Sequence, residues 1–332
     1  MKLPDVSAVI VGWNPGASLD ACTRSLRRSA EQARIDLQLV IVDNASEDGS
    51  VDDLSLDEGD VSVRNPLNAG YSVASAQGMA LASAPWILLV NPDLTVAPAF
   101  FEALIDAIRD APDSLASVVP EMRFASHPEL VNCRGLLVDE IGVPAEVDAG
   151  VVSAGSTPSV EILGGSSGCC LLRATAVRRL GGPEPVFFAY LEDVDLALRL
   201  RRAGYQSLFY PGAVAWHEGS MSTGSRSPLK TFLVARNRRL LFRLHGPRTL
   251  RARFWRILVE AGHGGVSSLH GVGAAPWTGR LDAVRLRRYI RFVVRSRAAH
   301  DLHVSTPELA PRTTLRATLR RKRAIDRVLS RH

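Results

Sequence analysis

Short apolar runs alternate with segments of helical periodicity along the first part of the chain. The runs predict strands, and they are Val6–Val11, Leu37–Val42, Val61–Arg64, Trp86–Val90 and Leu115–Val119. Between them, apolar residues recur with helical spacing, which predicts helices over Ser18–Ala33, Tyr71–Ala82 and Pro98–Asp110. This alternation predicts βαβ units, and therefore an α/β fold built on a mostly parallel sheet flanked by helices.

The pattern weakens between Phe124 and Val160, where Gly, Pro and Ser interrupt short apolar pieces, and we expect a loop region there. It resumes with a strand in EILGGSSGCCLLR that leads into a short helix, a helix over Leu191–Arg202, and a strand in YQSLFY. Beyond Ser225 the sequence is basic and has helical periodicity. We therefore expect one α/β domain over residues 1–225 and a basic helical extension over residues 226–332.

Charge is divided unequally between these two parts. The chain carries a net charge of +6, but residues 221–332 contain 25 Lys and Arg against 5 Asp and Glu, a net charge of +20. The preceding residues contain 15 against 29, a net charge of −14. Such an asymmetry indicates an anionic partner for the extension, either a nucleic acid or a membrane surface.

Composition narrows the class of protein further. The first residues, MKLPDVSAVIVGWNP, show no secretory signal pattern, and no uncharged segment approaches the roughly 18–20 apolar residues of a membrane span. We therefore expect a cytoplasmic protein. The four cysteines lack the spacing of a zinc site, so we expect reduced thiols, with the adjacent pair packed in a core; they are Cys22, Cys133, Cys169 and Cys170.

Acidic residues stand where two of the predicted strands end. Asp43 closes the second strand, and the apolar run Trp86–Val90 ends abruptly in Asn91, Pro92 and Asp93. In open α/β sheets, ligands bind beyond the carboxyl ends of the strands. Each acid alone could equally be a turn or helix-capping residue. Together they predict a shared crevice.

Seven segments in chain order extend this signal over Val6 to about Ser222: VSAVIVGWNP, LVIVDNASEDGS, RNPLNAGYSVASAQG, LLVNPDLTV, GGSSGCCLLRATAVRRLGG, FFAYLEDVDLALRLRRAGY and YPGAVAWHEGSMS. In these segments the chain resembles family 2 glycosyltransferases of the nucleotide-diphospho-sugar GT-A fold. The resemblance is to the branch that contains rhamnosyltransferases of bacterial cell-wall and polysaccharide synthesis. It implies an inverting transferase that moves a sugar from a nucleotide diphosphate to an acceptor.

The resemblance also implies a nucleotide-sugar site at the ends of the first strands. Asp43 would accept a hydrogen bond from the pyrimidine base. The other residues that the family places at the donor are Trp13, Asn14, Arg64, Asn68, Asn91 and Asp93. Arg64 could instead be a solvated loop cation.

A divalent cation, Mg²⁺ or Mn²⁺, is the cofactor that the resemblance implies, because it bridges the two phosphates of the donor. Asp93 takes the position of the metal-binding carboxylate, and His217 in AWHEGS matches a histidine that makes a further metal or phosphate contact. Many relatives carry a second Asp where this chain has Asn91, so one carboxylate is missing. His217 could alternatively be a buried core histidine.

The base that deprotonates the acceptor is expected in YLEDVDLALRL. Asp195 has a structural explanation, because it can pair with Arg199 one helical turn later. Asp193 faces Ala197 at that spacing and has no such partner. By resemblance, Asp193 is the general base and Glu192 orients the acceptor, although acids also favour the first turn of any helix.

Two further assignments rest on the resemblance. Gly165 and Ser166 would border the acceptor side of the site, where glycine permits close approach of a sugar. The extension carries basic amphipathic patterns, including a stripe of Leu229, Leu233, Leu240 and Leu244 and a last segment, RTTLRATLRRKRAIDRVLSRH. We expect them to hold the enzyme peripherally on the anionic inner face of the cytoplasmic membrane, near a polyprenyl-diphosphate-linked or polysaccharide acceptor. A solvated or body-packed helix is the alternative.

Other classes of protein fit the sequence less well. A nucleic-acid-binding role for the extension lacks interleaved aromatic residues and a recognised motif. A nucleotide-dependent oxidoreductase lacks the glycine fingerprint, because GWNPG follows the first strand. An inactive scaffold is disfavoured by the presence of Asp43, Asp93 and Asp193. Within the enzyme class, dTDP-rhamnose is the expected donor, with UDP-galactofuranose, UDP-glucose and GDP-mannose as alternatives.

Overall fold

The computed structural model describes residues 5–154, 157–219, 227–246, 249–268, 272–286 and 288–290. Its strands are β1 (Val6–Gly12), β2 (Leu37–Asp43), β3 (Val61–Arg64), β4 (Trp86–Val90), β5 (Leu94–Val96), β6 (Leu115–Phe124), β7 (Val131–Cys133), β8 (Leu136–Val138), β9 (Pro144–Glu146), β10 (Val160–Ile162), β11 (Cys169–Arg173) and β12 (Gln206–His217). Its helices are α1 (Ser18–Ala33), α2 (Tyr71–Leu81), α3 (Phe100–Ile108), α4 (Ala174–Leu180), α5 (Glu192–Arg202), α6 (Pro228–His245), α7 (Leu250–Ser267) and α8 (Ala275–Arg285), and a 3₁₀ helix spans Pro185–Phe187.

A ten-stranded sheet forms the centre of the fold, with the main strand order β10-β12-β6-β11-β4-β1-β2-β3. Neighbours from β4 through β1 and β2 to β3 are parallel, and so are β6 and β12. Strand β11 runs antiparallel between β4 and β6. The predicted α/β fold with a mostly parallel sheet is therefore confirmed.

Helices cover both faces of this sheet, which explains why its central strands are apolar throughout. Every residue of β1 and β4 is buried. On one face, side chains of α1 and α3 such as Leu26 and Phe101 share a hydrophobic cluster with Ala8 and Ile10 of β1. On the other face, α2, α4 and α5 pack through Met79, Val177 and Leu196. The four cysteines are free, buried thiols, as predicted.

The region from Phe124 to Val160 is more ordered than the expected loop. Strand β6 continues to Phe124, and β7, β8 and β9 follow as short antiparallel strands. Strands of three residues carry little periodicity, and here they are defined by pairing with nearby segments, β7 with the end of β6 and β8 with β9. Strand β12 also extends past YQSLFY to His217, which places this histidine at a strand end.

The leucine stripe of α6 faces the body of the protein, so its expected contact with a membrane is wrong. Leu240 is fully buried, Leu233 is 4% exposed, and Leu240 lies in one cluster with Phe187 and Val194 of the α/β body. Leu229, at the start of the helix, is 50% exposed. The last predicted basic segment, residues 312–332, lies outside the described residues.

None of the helices that the structure describes is long and apolar enough to cross a membrane.

The packing of α2 on the sheet gives a first prediction. A Cβ atom at Gly78 would lie 2.3 Å from Val9 Cγ1 and 3.2 Å from Val42 Cγ2. We expect Gly78→Ala to lower the free energy of unfolding by about 1–3 kcal/mol, because overpacking outweighs helix propensity there. Gly262 in α7 has no such neighbour within 4 Å, so Gly262→Ala should raise stability by about 0.5–1 kcal/mol. Urea unfolding of both variants checks the opposite signs, and two stabilised variants would contradict this packing.

Candidate functional site

The carboxyl ends of β1, β2 and β4 meet the start of β11 at one edge of the sheet. Gly12 and Asp43 are register partners at the ends of β1 and β2. The Asn91 amide, just after β4, donates to the Gly168 carbonyl just before β11 (2.8 Å). The loops that follow these strands therefore lie on the same side of the sheet.

Asp43 is fully buried, and both of its carboxylate oxygens accept hydrogen bonds. One oxygen accepts from the Ser46 amide (2.9 Å), and the other from Arg64 Nε (2.7 Å). The Arg64 side chain is 52% exposed and also contacts Asp52. The Asp43 carboxylate is therefore enclosed by its own turn and by the Arg64 side chain.

The other predicted nucleotide residues surround the same turn. The Asn14 amide donates to Ser46 Oγ (2.9 Å), and Asn14 Oδ1 accepts from the Glu47 amide (2.8 Å). Asn68 Oδ1 accepts from Asn44 Nδ2 (2.8 Å). Trp13 is 38% exposed. These residues therefore form a polar surface with one accessible aromatic ring.

Asp93 and His217 lie together beyond β4 and β12. His217 Nε2 is 3.3 Å from Asp93 Oδ1, and His217 Nδ1 is 3.3 Å from Asn132 Oδ1. A carboxylate oxygen and an imidazole nitrogen suit a divalent cation whose other positions are filled by phosphate oxygens and water. The described residues contain no group of three or more His, Cys, Asp or Glu arranged for a metal. The pair thus supplies a partial donor set that a diphosphate would complete.

Glu192 is buried and Asp193 half-buried at the first turn of α5, beside the turn that precedes β11. Asp193 Oδ2 accepts from the Ser167 amide (3.2 Å), and the Ser166 hydroxyl also hydrogen-bonds to Asp193. Tyr71 Oη, from the start of α2, donates to the Ser167 carbonyl (3.0 Å). Serines of the Gly-rich turn therefore hold the predicted base directly.

Burial governs the protonation of this acid pair. Burial, and after it the charge of Asp193, raises the pKa of Glu192 to about 8. Burial likewise raises the pKa of Asp193 above its usual value, against the hydrogen bonds from Ser167 and Val194. Glu192 Oε2 has no hydrogen-bond partner among the described residues. A neutral Glu192 can therefore donate a hydrogen bond while Asp193 accepts one.

Gly165 has a packing role at this turn. A Cβ atom there would lie 2.3 Å from Cys170 Sγ. A small cavity beside the turn is lined by Leu89, Ser117, Gly164, Gly165, Ser167, Cys170, Leu172, Asp193, Leu196, Ala197 and Leu200. Its lining is mostly apolar and includes neither Asp43 nor Asp93, so it is separate from the residues predicted to bind the nucleotide.

The predicted pair of Asp195 and Arg199 is confirmed. Arg199 Nε donates to Asp195 Oδ2 (2.7 Å), and the same carboxylate lies 2.7 Å from His245 Nε2 at the end of α6. Arg199 also donates to the carbonyls of Leu180 and Gly182. Asp195 is therefore a structural acid that joins α5 to α4 and α6.

The chain reaches the acid pair through a strained backbone. Phe188, Tyr190 and Leu191 have φ values of 64°, 70° and 68°. A non-glycine residue held in such a region costs about 1–3 kcal/mol and persists only where its surroundings enforce it. The Phe188 carbonyl accepts from the Ser72 amide (2.9 Å), and its ring occupies the space that a side chain at Gly70 would need. No sequence feature predicts this strain.

The raised pKa of Glu192 predicts a pH dependence of stability. Glu192 ionises near pH 4.5 in the unfolded chain and near pH 8 in the folded one, so its contribution to stability is complete below pH 4.5 and is lost as the pH rises to about 8. Glu192→Gln should not lose stability in this pH range, because glutamine does not ionise. Urea unfolding at several pH values should show the variant gaining stability over wild type across this window. A constant difference would contradict the assignment.

Comparison with known proteins agrees with this geometry. Residues 7–134 match the family model Glycosyl transferase family 2, and residues 86–258 match Glycosyl transferase family group 2. The chain is 29% identical over 249 residues to the N-acetylglucosaminyl-diphospho-decaprenol L-rhamnosyltransferase of Mycobacterium tuberculosis, covering 67% of this chain and 79% of that protein.

Two solved structures share the fold. GalNAc-T7 with UDP, GalNAc and Mn²⁺ has a TM-score of 0.57 at 16% identity over 74% of this chain, which spans about half (48%) of GalNAc-T7. The mannosyltransferase PcManGT of Pyrobaculum calidifontis, with GDP-Man and Mn²⁺, has a TM-score of 0.51 at 13% identity, covering 97% of this chain and 85% of that one. With a family model that covers more than half of its residues and a GT-A fold, the chain belongs to glycosyltransferase family 2 and is a hexosyltransferase.

Proposed function

We propose that this enzyme transfers L-rhamnose from dTDP-rhamnose, with inversion, to a lipid-linked or polysaccharide acceptor in cell-wall or exopolysaccharide synthesis. The mycobacterial relative supports both the sugar and a lipid-linked acceptor, because its name specifies them. UDP-galactofuranose, UDP-glucose and GDP-mannose are the alternative donors. The observation that carries the proposal is the pair of the buried Glu192 and the half-buried Asp193, held by the Ser166–Ser167 turn at the same sheet edge as Asp93 and His217.

Asp193 acts as the general base in this proposal. It takes the proton of the acceptor hydroxyl as that oxygen bonds to the anomeric carbon, while the bond from this carbon to the phosphate oxygen breaks and its electrons leave with the nucleotide diphosphate. Burial raises the pKa of Asp193, which makes it a stronger base than a solvated Asp. Neutral Glu192 donates a hydrogen bond that orients the acceptor.

Asp93 and His217 would hold the divalent cation, Mg²⁺ or Mn²⁺. When bound, such a cation neutralises charge on the leaving phosphates. His217 is oriented for this by the contact of its Nδ1 with Asn132. The bound Mn²⁺ of GalNAc-T7 and PcManGT is consistent with this role.

Donor binding occupies the surface around Asp43 in this proposal. The half-exposed Arg64 side chain swings away from Asp43 and becomes available to a phosphate, while the freed carboxylate accepts a hydrogen bond from the base. Trp13 and Asn14 flank the base, and Asn68 supports the turn. Asn91, the remaining residue expected at the donor, follows β4 and is hydrogen-bonded to Gly168 just before β11.

The division of roles predicts different effects on binding and turnover. Asp193→Asn should lower kcat by about 10²–10⁴, the usual worth of one proton transfer, and leave the Kd of the donor nucleotide nearly unchanged. Thermal shifts with dTDP, UDP and GDP, with and without Mn²⁺, identify the nucleotide before the kinetics are measured. Asp20→Asn, on the exposed face of α1, is the control that should alter neither. An equal loss of nucleotide binding and turnover in Asp193→Asn would refute the assignment of Asp193 as the general base.

We further propose that α7 attaches the enzyme to an anionic membrane. Leu250, Phe254, Ile257 and Leu258 follow the spacing of one helical face and are 80%, 59%, 60% and 46% exposed. Arg251 and Arg253 are exposed on the same helix. Such a helix lies in the membrane interface, with its apolar side in the lipid and its cations against anionic headgroups. This face replaces α6 as the expected contact.

Vesicle sedimentation tests the attachment on the full chain. Phe254→Glu with Ile257→Glu should weaken binding to phosphatidylglycerol vesicles at least about tenfold, because burying one large apolar side chain is worth roughly 1.5–3 kcal/mol. Leu81→Glu places the same charge on another exposed apolar residue, at the far end of α2, and should bind as wild type does. Unchanged binding of the double variant would refute the attachment.

A further inference from the structure

The strained loop that leads into the acid pair is enclosed by residues of α6. The loop runs from the 3₁₀ helix Pro185–Phe187 to Leu191, where α5 begins with Glu192. Its left-handed residues are not glycines, so the loop needs external contacts to keep this conformation. Any change of these backbone angles moves the start of α5, and with it both carboxylates.

Asn237 supplies three of these contacts. Its Nδ2 lies 2.9 Å from the Phe187 carbonyl, 2.8 Å from that of Ala189 and 2.7 Å from that of Tyr190. The residue is completely buried. An amide has two N–H groups, so three carbonyls share two hydrogens. Three converging carbonyls also determine the orientation of the amide, because its oxygen could not occupy that place without repulsion.

Arg236 strengthens the same attachment. Its Nη2 donates to the carbonyls of Val186 and Phe187, both at 2.8 Å, and its Nε donates to Asn237 Oδ1 (3.0 Å). The donation to Oδ1 keeps the Asn237 amide turned with its nitrogen toward the loop. Two neighbouring residues of α6 thus bind four carbonyl groups of the loop just before the acid pair. More than 40 positions of the chain separate these two residues from Glu192 and Asp193.

We propose that Asn237 is a positioning residue for sugar transfer: with Arg236, it holds the 185–191 loop in the conformation that places Glu192 and Asp193 against the Ser166–Ser167 turn. This inference rests on the proposed function of the acid pair. It makes α6 part of the catalytic unit, although its sequence belongs to the basic extension. Neither residue touches a reacting atom, so both act through the geometry of α5.

Asn237 and Arg236 together are called the clamp of the 185–191 loop. The test compares two variants of this clamp with one matched control, all in the full chain. Asn237→Asp keeps the shape of the side chain but presents an oxygen to the three carbonyls. Arg236→Lys, a milder change, removes the paired donors to Val186 and Phe187. In the control, Arg243→Gln, the lost hydrogen bond joins α6 to the Ala283 carbonyl of α8 (2.6 Å) and not to the loop.

We expect a split between turnover and binding. Asn237→Asp should lower kcat about 100-fold, since misplacement of a catalytic group by about 1 Å has this effect, and Arg236→Lys about tenfold, as for one lost hydrogen bond. The Kd of the nucleotide should stay within about threefold of wild type. Hydrogen exchange at the Phe188, Ala189 and Asp195 amides should accelerate in both clamp variants and not in Arg243→Gln.

Each outcome decides the proposal. If Asn237→Asp does not fold, Arg236→Lys still tests the proposal, because it should also lower kcat while leaving the Kd of the nucleotide nearly unchanged. Wild-type kcat in the folded clamp variants, or a parallel loss of kcat and nucleotide binding, would overturn it. If the wild-type enzyme transfers no sugar from any donor, the proposed function fails. The hydrogen-exchange rates of the 185–191 loop then still test the contact with Asn237 and Arg236. Unchanged rates in both variants would overturn that contact as the support of the loop.

Discussion

Two adjacent carboxyl groups at the start of α5, the buried Glu192 and the half-buried Asp193, impose the main electrostatic demand on this site. Loss of hydration raises both pKa values, so one of the two groups stays protonated at neutral pH and the other is a stronger base than usual. This arrangement is unfavourable for folding and is tolerated because the sheet edge, the Ser166–Ser167 turn and the loop before α5 surround it. In the proposed mechanism, the neutral Glu192 is the donor and Asp193 the acceptor toward one hydroxyl group.

The surroundings of this pair come from distant parts of the chain. Tyr71 reaches Ser167 from α2, and the Phe188 carbonyl receives the Ser72 amide, so the start of α2 and the acid pair are built on shared contacts. From the other side, Asn237 attaches the loop to α6. A helix that follows the expected domain boundary at residue 225 therefore contributes to the interior of the transferase. The exposed α7 face, in contrast, points away from this packing and is available to a surface.

The sequence predicted the elements whose signal is local. The strands Val61–Arg64 and Trp86–Val90 and the helix Ser18–Ala33 have the predicted bounds, because their apolar spacing is strong. Strands β7 to β9 were missed because three residues are too few to show a period. The α6 leucines were correctly seen as a stripe, but periodicity does not say whether a stripe faces lipid or protein. Asn237 gave no signal, since one Asn in an Arg-rich helix reveals nothing of carbonyls 47 to 50 positions away.

Titration of the acid pair is the most direct test of the protonation states that the mechanism needs. Carbon-13 NMR of the side-chain carboxyls in the full chain, with Glu192→Gln used to assign the signals, follows the ionisation of Glu192 and Asp193. One carboxyl of the pair should stay protonated up to about pH 8, because burial next to a second acid raises its pKa. If both groups ionise at the ordinary values of 4.5 and 3.8, the pair is solvated, and the proposed roles of donor and base are contradicted.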